Sequence, residues 1–258
     1  MPNGSAFEDA VALVRDASLV RDNMSQTNAL GLGVGIHLSL VGEKCVAPAD
    51  ELRGMVSADG LLPDSYSTFT RLFLTKRFGA GEVRTEIIAQ IDRVLAAGIT
   101  PTHIDSHQHL HMLPGVFDIV LDTAIDSAIP AIRVPLERDG PGSGGLSMRI
   151  IQTWILSRIS RKRLDQVRNA GLRTADWFWG LGVSGNMNEA NLADTLGRLR
   201  PGVNEIMCHP GISDPETASR YAWGYSWDEE LAALTSDSVK TFIEENDIRL
   251  ASFADAWD

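Results

Sequence analysis

The sequence predicts an α/β fold whose parallel strands close into a (β/α) barrel. Three observations predict it. Short apolar, strand-like segments alternate with amphipathic helical ones along the chain, which is the pattern of parallel sheets. These units recur often enough to close a sheet on itself. All six histidines fall where an expected strand gives way to a loop, the end at which barrels carry their chemistry. The 258 residues suit one domain spanning 1–258.

Glu8 to Val20 spaces Val11, Ala12, Val14 and Leu19 as a helix does. Leu30 to Leu40 has the small, apolar texture of a buried strand. Val41 to Gly79, punctuated by Pro48, Gly54, Gly60 and Pro63, is expected to wander over one end of the fold. Glu82 to Ala97 carries an apolar stripe of Val83, Ile87, Ile88, Ile91, Val94 and Leu95, with Gly98 at the helix stop. A strand is expected from Pro101 to Asp105, a helix from Pro114 to Ala128, and a short strand from Ala131 to Leu136. Arg138 to Ser147 holds four glycines and is expected to be a loop. Helices follow at Met148 to Ala170 and Asn188 to Leu199. A strand at Val203 to Cys208 then runs into His209-Pro210-Gly211. A helix near Ser236 to Glu245, a strand near Arg249 to Phe253 and a polar tail complete the expectation.

Composition narrows the function classes. The net charge of −11, with no Lys/Arg stripe, argues against nucleic acid and against an anionic membrane surface. No run of eighteen apolar residues is present, so no membrane span is expected. Cys45 and Cys208 are too few for a disulfide framework. Together with the lack of an export signal, they suggest a cytoplasmic setting.

The histidines are His37, His103, His107, His109, His111 and His209. In Thr102-His103-Ile104-Asp105-Ser106-His107-Gln108-His109-Leu110-His111 the histidines and the aspartate share one parity. Any extended part of the segment therefore projects them to one side. Imidazole is a common ligand of divalent metals, and a carboxylate beside it fixes its tautomer. His37 lies inside an apolar strand, where a satisfied core ring and a metal ligand are both open readings. His209, on a turn after a buried strand, reads equally as a general acid or base and as a backbone-bonded turn histidine. Cys208 is set aside as a nucleophile because no separate base stands with it. Asp176-Trp177-Phe178-Trp179-Gly180, Trp223 and Trp227 offer aromatic rings that could face a sugar or fill a core.

Together, Gly35–Leu38, Thr102–His111 and Met207–Gly211 resemble the G-x-H-L/F strand, the T-H-x-D-S-H-x-H-x-H segment and the M-C-H-P-G-like turn of the YdjC-like carbohydrate deacetylases. This family includes the chitooligosaccharide deacetylases. Met1-Pro2-Asn3-Gly4, Phe7–Val11 and the closing Ile248–Asp255 extend the likeness over the whole chain. Ile132–Leu136 is similar to the branch associated with hopanoid biosynthesis. The resemblance implies a deformed (β/α) barrel that removes an N-acetyl group from an amino sugar, with one divalent ion, magnesium first and zinc second. It implies His37 and His107 as metal ligands and His209 as the acid for the departing amine. Asp105, His109, His111 and Arg133 are expected to touch substrate or back the ligands. The expected substrate is an N-acetylated sugar or glycolipid, and a homo-oligomer is an open expectation.

One departure matters. The family opens with a strand ending in an Ala-Asp-Asp-Phe-Gly-like motif that supplies the catalytic base and a third ligand, and no Asp-Asp pair occurs here. The sequence is therefore expected to start after that first strand, and an activity impaired by loss of the Asp pair is an open expectation. Two alternatives accompany the deacetylase reading: a non-catalytic sugar-binding or regulatory relative, and a barrel metallohydrolase of another type.

Overall fold

The computed structural model describes residues 33–137, 148–213 and 223–258, with no account of side chains at 148–155. The expected helix at Glu8–Val20 and the loop at Arg138–Ser147 lie outside the described residues. The chain divides into two compact units, Ala17–Val134 with Lys162–Thr174, and Met1–Asp16 with Pro135–Arg161 and Ala175–Asp258.

In the first unit, strand β1 (Ile36–Leu38) pairs in parallel with β2 (Ile104–Ser106), placing His37 opposite Asp105. Parallel bridges extend the series from Ile104 to Ile132 and from Ala131 to Arg173. The strand expected at 131–136 thus shrinks to those two bridged residues. Ile36, Leu38, Ile104, Ala131 and Ile132 are all buried, as strands covered on both faces must be.

Helix α1 (Tyr66–Leu74) stands inside the segment expected to be an excursion. Ser65 caps it by accepting the Thr68 N–H, and Phe69 packs with Phe73 and Phe78. Helix α2 (Ala80–Ala96) holds the expected periodic segment, but its buried face is rotated from the expected stripe. Ile88 and Leu95 are exposed, whereas Glu86 and Gln90 are buried. The reason is hydrogen bonding. The Glu86 carboxylate accepts the Val46 and Ala47 N–H groups, and Gln90 bonds both the N–H and the carbonyl of Ser39. Two polar side chains one turn apart thereby satisfy the backbone that leaves β1. Helix α3 (Val116–Asp126) packs against α2, with Arg84 paired to Asp122 at 2.7 Å. Helix α4 (Met148–Asn169) supplies Arg163 near its end, lying 4.3 Å over the Phe117 ring and bonded to Asp118.

In the second unit, β3 (Trp177–Trp179) pairs in parallel with β4 (Asn204–Ile206). The aromatic stretch considered as a substrate wall is this strand. Phe178 and Trp179 are buried in the core, and the indole N–H groups donate to Pro201 O and Asn204 Oδ1. Gly180 follows with φ +107°, and a Cβ there would sit 2.6 Å from the Met207 carbonyl, so only glycine fits. Helices α5 (Glu189–Gly197), α6 (Trp227–Thr235) and α7 (Asp237–Glu245) pack on one another. They share a cluster of Met187, Leu192, Leu196, Ala233 and Val239, against which Cys208 lies partly buried. Helix α6 was not expected.

The strand expected at Arg249–Phe253 does not form. Leu250 is 74% exposed, and Asp255 Oδ1 accepts both the N–H and the hydroxyl of Ser252. The side chain of an aspartate thus captures backbone that a ladder would need.

Candidate active site

In the first unit, the site is built by the register of two strands. Because β1 and β2 run parallel with His37 opposite Asp105, neighbouring side chains point to the same face. Asp105 Oδ1 lies 2.8 Å from His37 Nδ1, and its other oxygen accepts the Arg133 guanidinium. Burial alone would raise the Asp105 pKa, but Arg133 and then His37 outweigh it and hold the carboxyl well below its ordinary value. An ionised carboxylate on Nδ1 favours the tautomer that carries its proton there and leaves the Nε2 lone pair to face an electrophile. The His107 ring stands edge-on to His37 with centroids 5.9 Å apart. Burial lowers the His107 pKa to about 4, so the ring is neutral at pH 7 and carries a lone pair.

The rest of the cluster departs from the parity expectation. Only Ile104–Ser106 is extended; His107–Met112 turns into a 3-10 segment in which Gln108 and His109 adopt left-handed backbone angles. The turn disperses the three later histidines instead of aligning them. His111 is completely buried, with Nδ1 bonded to Ser106 Oγ at 2.7 Å and Nε2 to the Arg133 carbonyl at 2.9 Å. Both ring nitrogens are used, so His111 braces β2 and is not placed as a ligand. His109 lies half-buried beside it, their centroids 6.2 Å apart, and desolvation of its ring drives its pKa well down. His103 precedes β2 at the strand's entry, contrary to the expectation that every histidine lies at a strand's exit. Its ring rests on Gly35, where a Cβ would come within 2.3 Å, and burial pushes its pKa to about 4. Arg133, expected near substrate, is engaged by Asp105.

In the second unit, His209 follows β4 with its ring 4.8 Å from Tyr225. The Tyr225 hydroxyl lies 3.3 Å from Ser184 Oγ, and its ring covers Gly185, where a Cβ would collide at 2.1 Å.

Histidine and carboxylate chemistry of this kind suits hydrolysis, and comparison with known proteins narrows it. The model of the YdjC-like proteins matches residues 1–245. The chain belongs to the YdjC-like family. Among its relatives, a carbohydrate deacetylase of Clostridium beijerinckii is 26% identical over 90% of this chain and 81% of its own. A chitooligosaccharide deacetylase of Yersinia pestis is 30% identical over 87% and 78%, respectively. A solved structure from Enterococcus faecalis, named for cellobiose-phosphate cleavage, superposes with a TM-score of 0.63 at 24% identity, covering 92% of this chain and 82% of that one. At that identity the likeness speaks for the fold.

The donor set fits a divalent ion in part. His37 and His107 are neighbours, and the first is oriented by a carboxylate. Among the described residues no group of three or more His, Cys, Asp or Glu is placed to hold a metal. Sequence reasoning missed Glu230, which is completely buried beside the His209 turn. Its only signal is a glutamate in the first turn of a helix the sequence did not reveal.

Proposed function

We propose that this chain is a carbohydrate deacetylase that hydrolyses the N-acetyl group of an N-acetylated amino sugar, in an oligosaccharide or a glycolipid. The observation that carries this reading is the Asp105–His37–His107 arrangement at adjacent parallel strands of a YdjC-like chain. Relatives named carbohydrate deacetylase and chitooligosaccharide deacetylase support it. The parallel series through β1 and β2 fits one arc of the deformed barrel expected for such enzymes.

Water adds to the amide carbonyl carbon and gives up a proton to a base, the C–N bond breaks, and the nitrogen takes a proton from an acid, giving acetate and a free amine. His37 and His107 would hold a magnesium ion, or zinc in its place. A bound divalent ion supplies electrophilic polarisation of the carbonyl at such a site. Asp105 fixes the His37 tautomer, and His209 delivers the proton to the departing amine.

The test is acetate release from N-acetylglucosamine oligomers and from an N-acetylated glycolipid, with and without EDTA. Release that stops on chelation and returns with added magnesium or zinc is the expected result. Chelator-insensitive release, or full activity in His107→Ala, overturns the metal role. A second reading is a sugar-binding relative without turnover. Binding of the oligomer without acetate release would decide for it.

A further inference from the structure

Glu230 is completely buried, and both of its oxygens are spent on backbone. Oε1 accepts the Met187 N–H at 2.9 Å, and Oε2 accepts the His209 N–H. Among the described residues it makes no ion pair, so its partners are two peptide groups from separate segments of the second unit. The same helix turn takes two more donors from the chain after β4. Gly211 N–H donates to the Trp227 carbonyl at 3.2 Å, and Ser213 N–H donates to Asp228 Oδ1 at 3.0 Å. The alternate amides 209, 211 and 213 therefore all end on the first turn of α6. A buried carboxylate that accepts two backbone amides is a rigid clip, because releasing either donor would strand a carboxylate oxygen away from water.

We propose that Glu230 is a positioning residue that fixes the backbone of His209, and with it the point from which the ring delivers its proton. The inference rests on the reading of His209 as the acid. Glutamate is required at this position because each oxygen meets an N–H. Glutamine would turn one of those contacts into donor against donor, and aspartate would fall short by one C–C bond, about 1.5 Å.

The test is a double-mutant cycle of Glu230→Gln and His209→Ala, read as kcat and KM for acetate release, together with hydrogen–deuterium exchange of the protein without substrate. Expected is a loss in kcat of roughly tenfold or more in Glu230→Gln with KM little changed, the scale on which misplacing a catalytic group acts. In the His209→Ala background the same change should cost almost nothing further, since the two residues act as a unit. Exchange over 207–211 should quicken in Glu230→Gln while β3 keeps its protection. Equal losses in both backgrounds, or unchanged exchange over 207–211, overturn the inference. If Glu230→Gln does not fold, Glu230→Asp, which keeps both acceptors on a shorter stem, is put through the same cycle with the same outcomes. Wild-type kcat in His209→Ala would instead show that the acid was wrongly assigned, and the positioning role would fall with it. A wild-type chain that releases no acetate leaves the exchange result to decide.

Discussion

The two units fix their histidines by different means. In the first, His37 and His111 are held through their ring nitrogens by Asp105, Ser106 Oγ and the Arg133 carbonyl, all close in sequence or one strand away. In the second, the chain at His209 is held through its peptide groups by a helix that begins eighteen residues later, at Trp227. The difference teaches where precision is stored. Holding a ring sets its tautomer and proton affinity, whereas holding a peptide sets only the origin of the side chain. The first suits a group whose lone pair must be aimed. The second suits one that must pick up and release a proton while staying in place.

The largest effect is expected from Asp105→Ala, which leaves the Arg133 guanidinium beside His37 without its buried counter-charge. Removing one partner of such a pair costs about 3–5 kcal/mol. Urea unfolding should show a lower midpoint at unchanged slope, and a stability within 1 kcal/mol of wild type, roughly the cost of a surface pair, would refute the account.

His111→Ala comes next. It takes the ring partners from the Ser106 hydroxyl and the Arg133 carbonyl and leaves a cavity in the core, at about 2–4 kcal/mol, while the residue-111 N–H still donates to Ser106 Oγ. Divalent-ion affinity measured by calorimetry should nonetheless stay near wild type. His107→Ala should do the opposite, weakening ion binding by roughly tenfold or more with a smaller loss of stability. If both variants lost ion affinity equally, the division between bracing and ligating rings would be wrong.

Acidification sharpens the comparison further. Burial holds the folded pKa of His103, His107 and His111 at about 4, below the unfolded value of 6.5. Below 6.5 the unfolded chain binds protons that the folded one refuses. Stability is therefore present above that pH and is lost as pH falls from 6.5 toward 4, by about 1.4 kcal/mol per pH unit for each fully responsive histidine. The lowered pKa of Asp105 adds a loss in the same direction at still lower pH. Thermal melts between pH 7 and 4 should show the first unit loosening; a midpoint independent of pH in that window would contradict it.

The smallest effect belongs to the second unit. Gly180→Ala would force a Cβ against the Met207 carbonyl two residues before His209. It should cost about 1–3 kcal/mol in unfolding experiments.

How much could be read from the sequence follows the same division. The segment Thr102–His111 announced itself because its histidines and Asp105 are adjacent along the chain, whereas the choice of His37 and His107 as ligands came from the family resemblance. Helix α2 was legible from its 3.6-residue period, and Val83, Ile87, Ile91 and Val94 of the expected stripe are buried. What was not legible is that Glu86 and Gln90 share that face, drawn inward by backbone groups at 39–47 that no periodicity encodes. The parity argument failed at His107, where the chain turns instead of staying extended. The strand expected at Arg249–Phe253 gave way to a turn closed by Asp255. Glu230 was invisible, since its meaning lies in two amides distant in sequence.

By itself, the sequence determined the alternating α/β character, the family likeness and the density of histidines after β2, because these rest on local composition and spacing. Only the tertiary structure decided which rings face each other, which are consumed as braces, and that a helix turn grips the chain at His209. Those outcomes depend on strand register and on where buried donors find acceptors, and both are settled between segments that the sequence keeps apart.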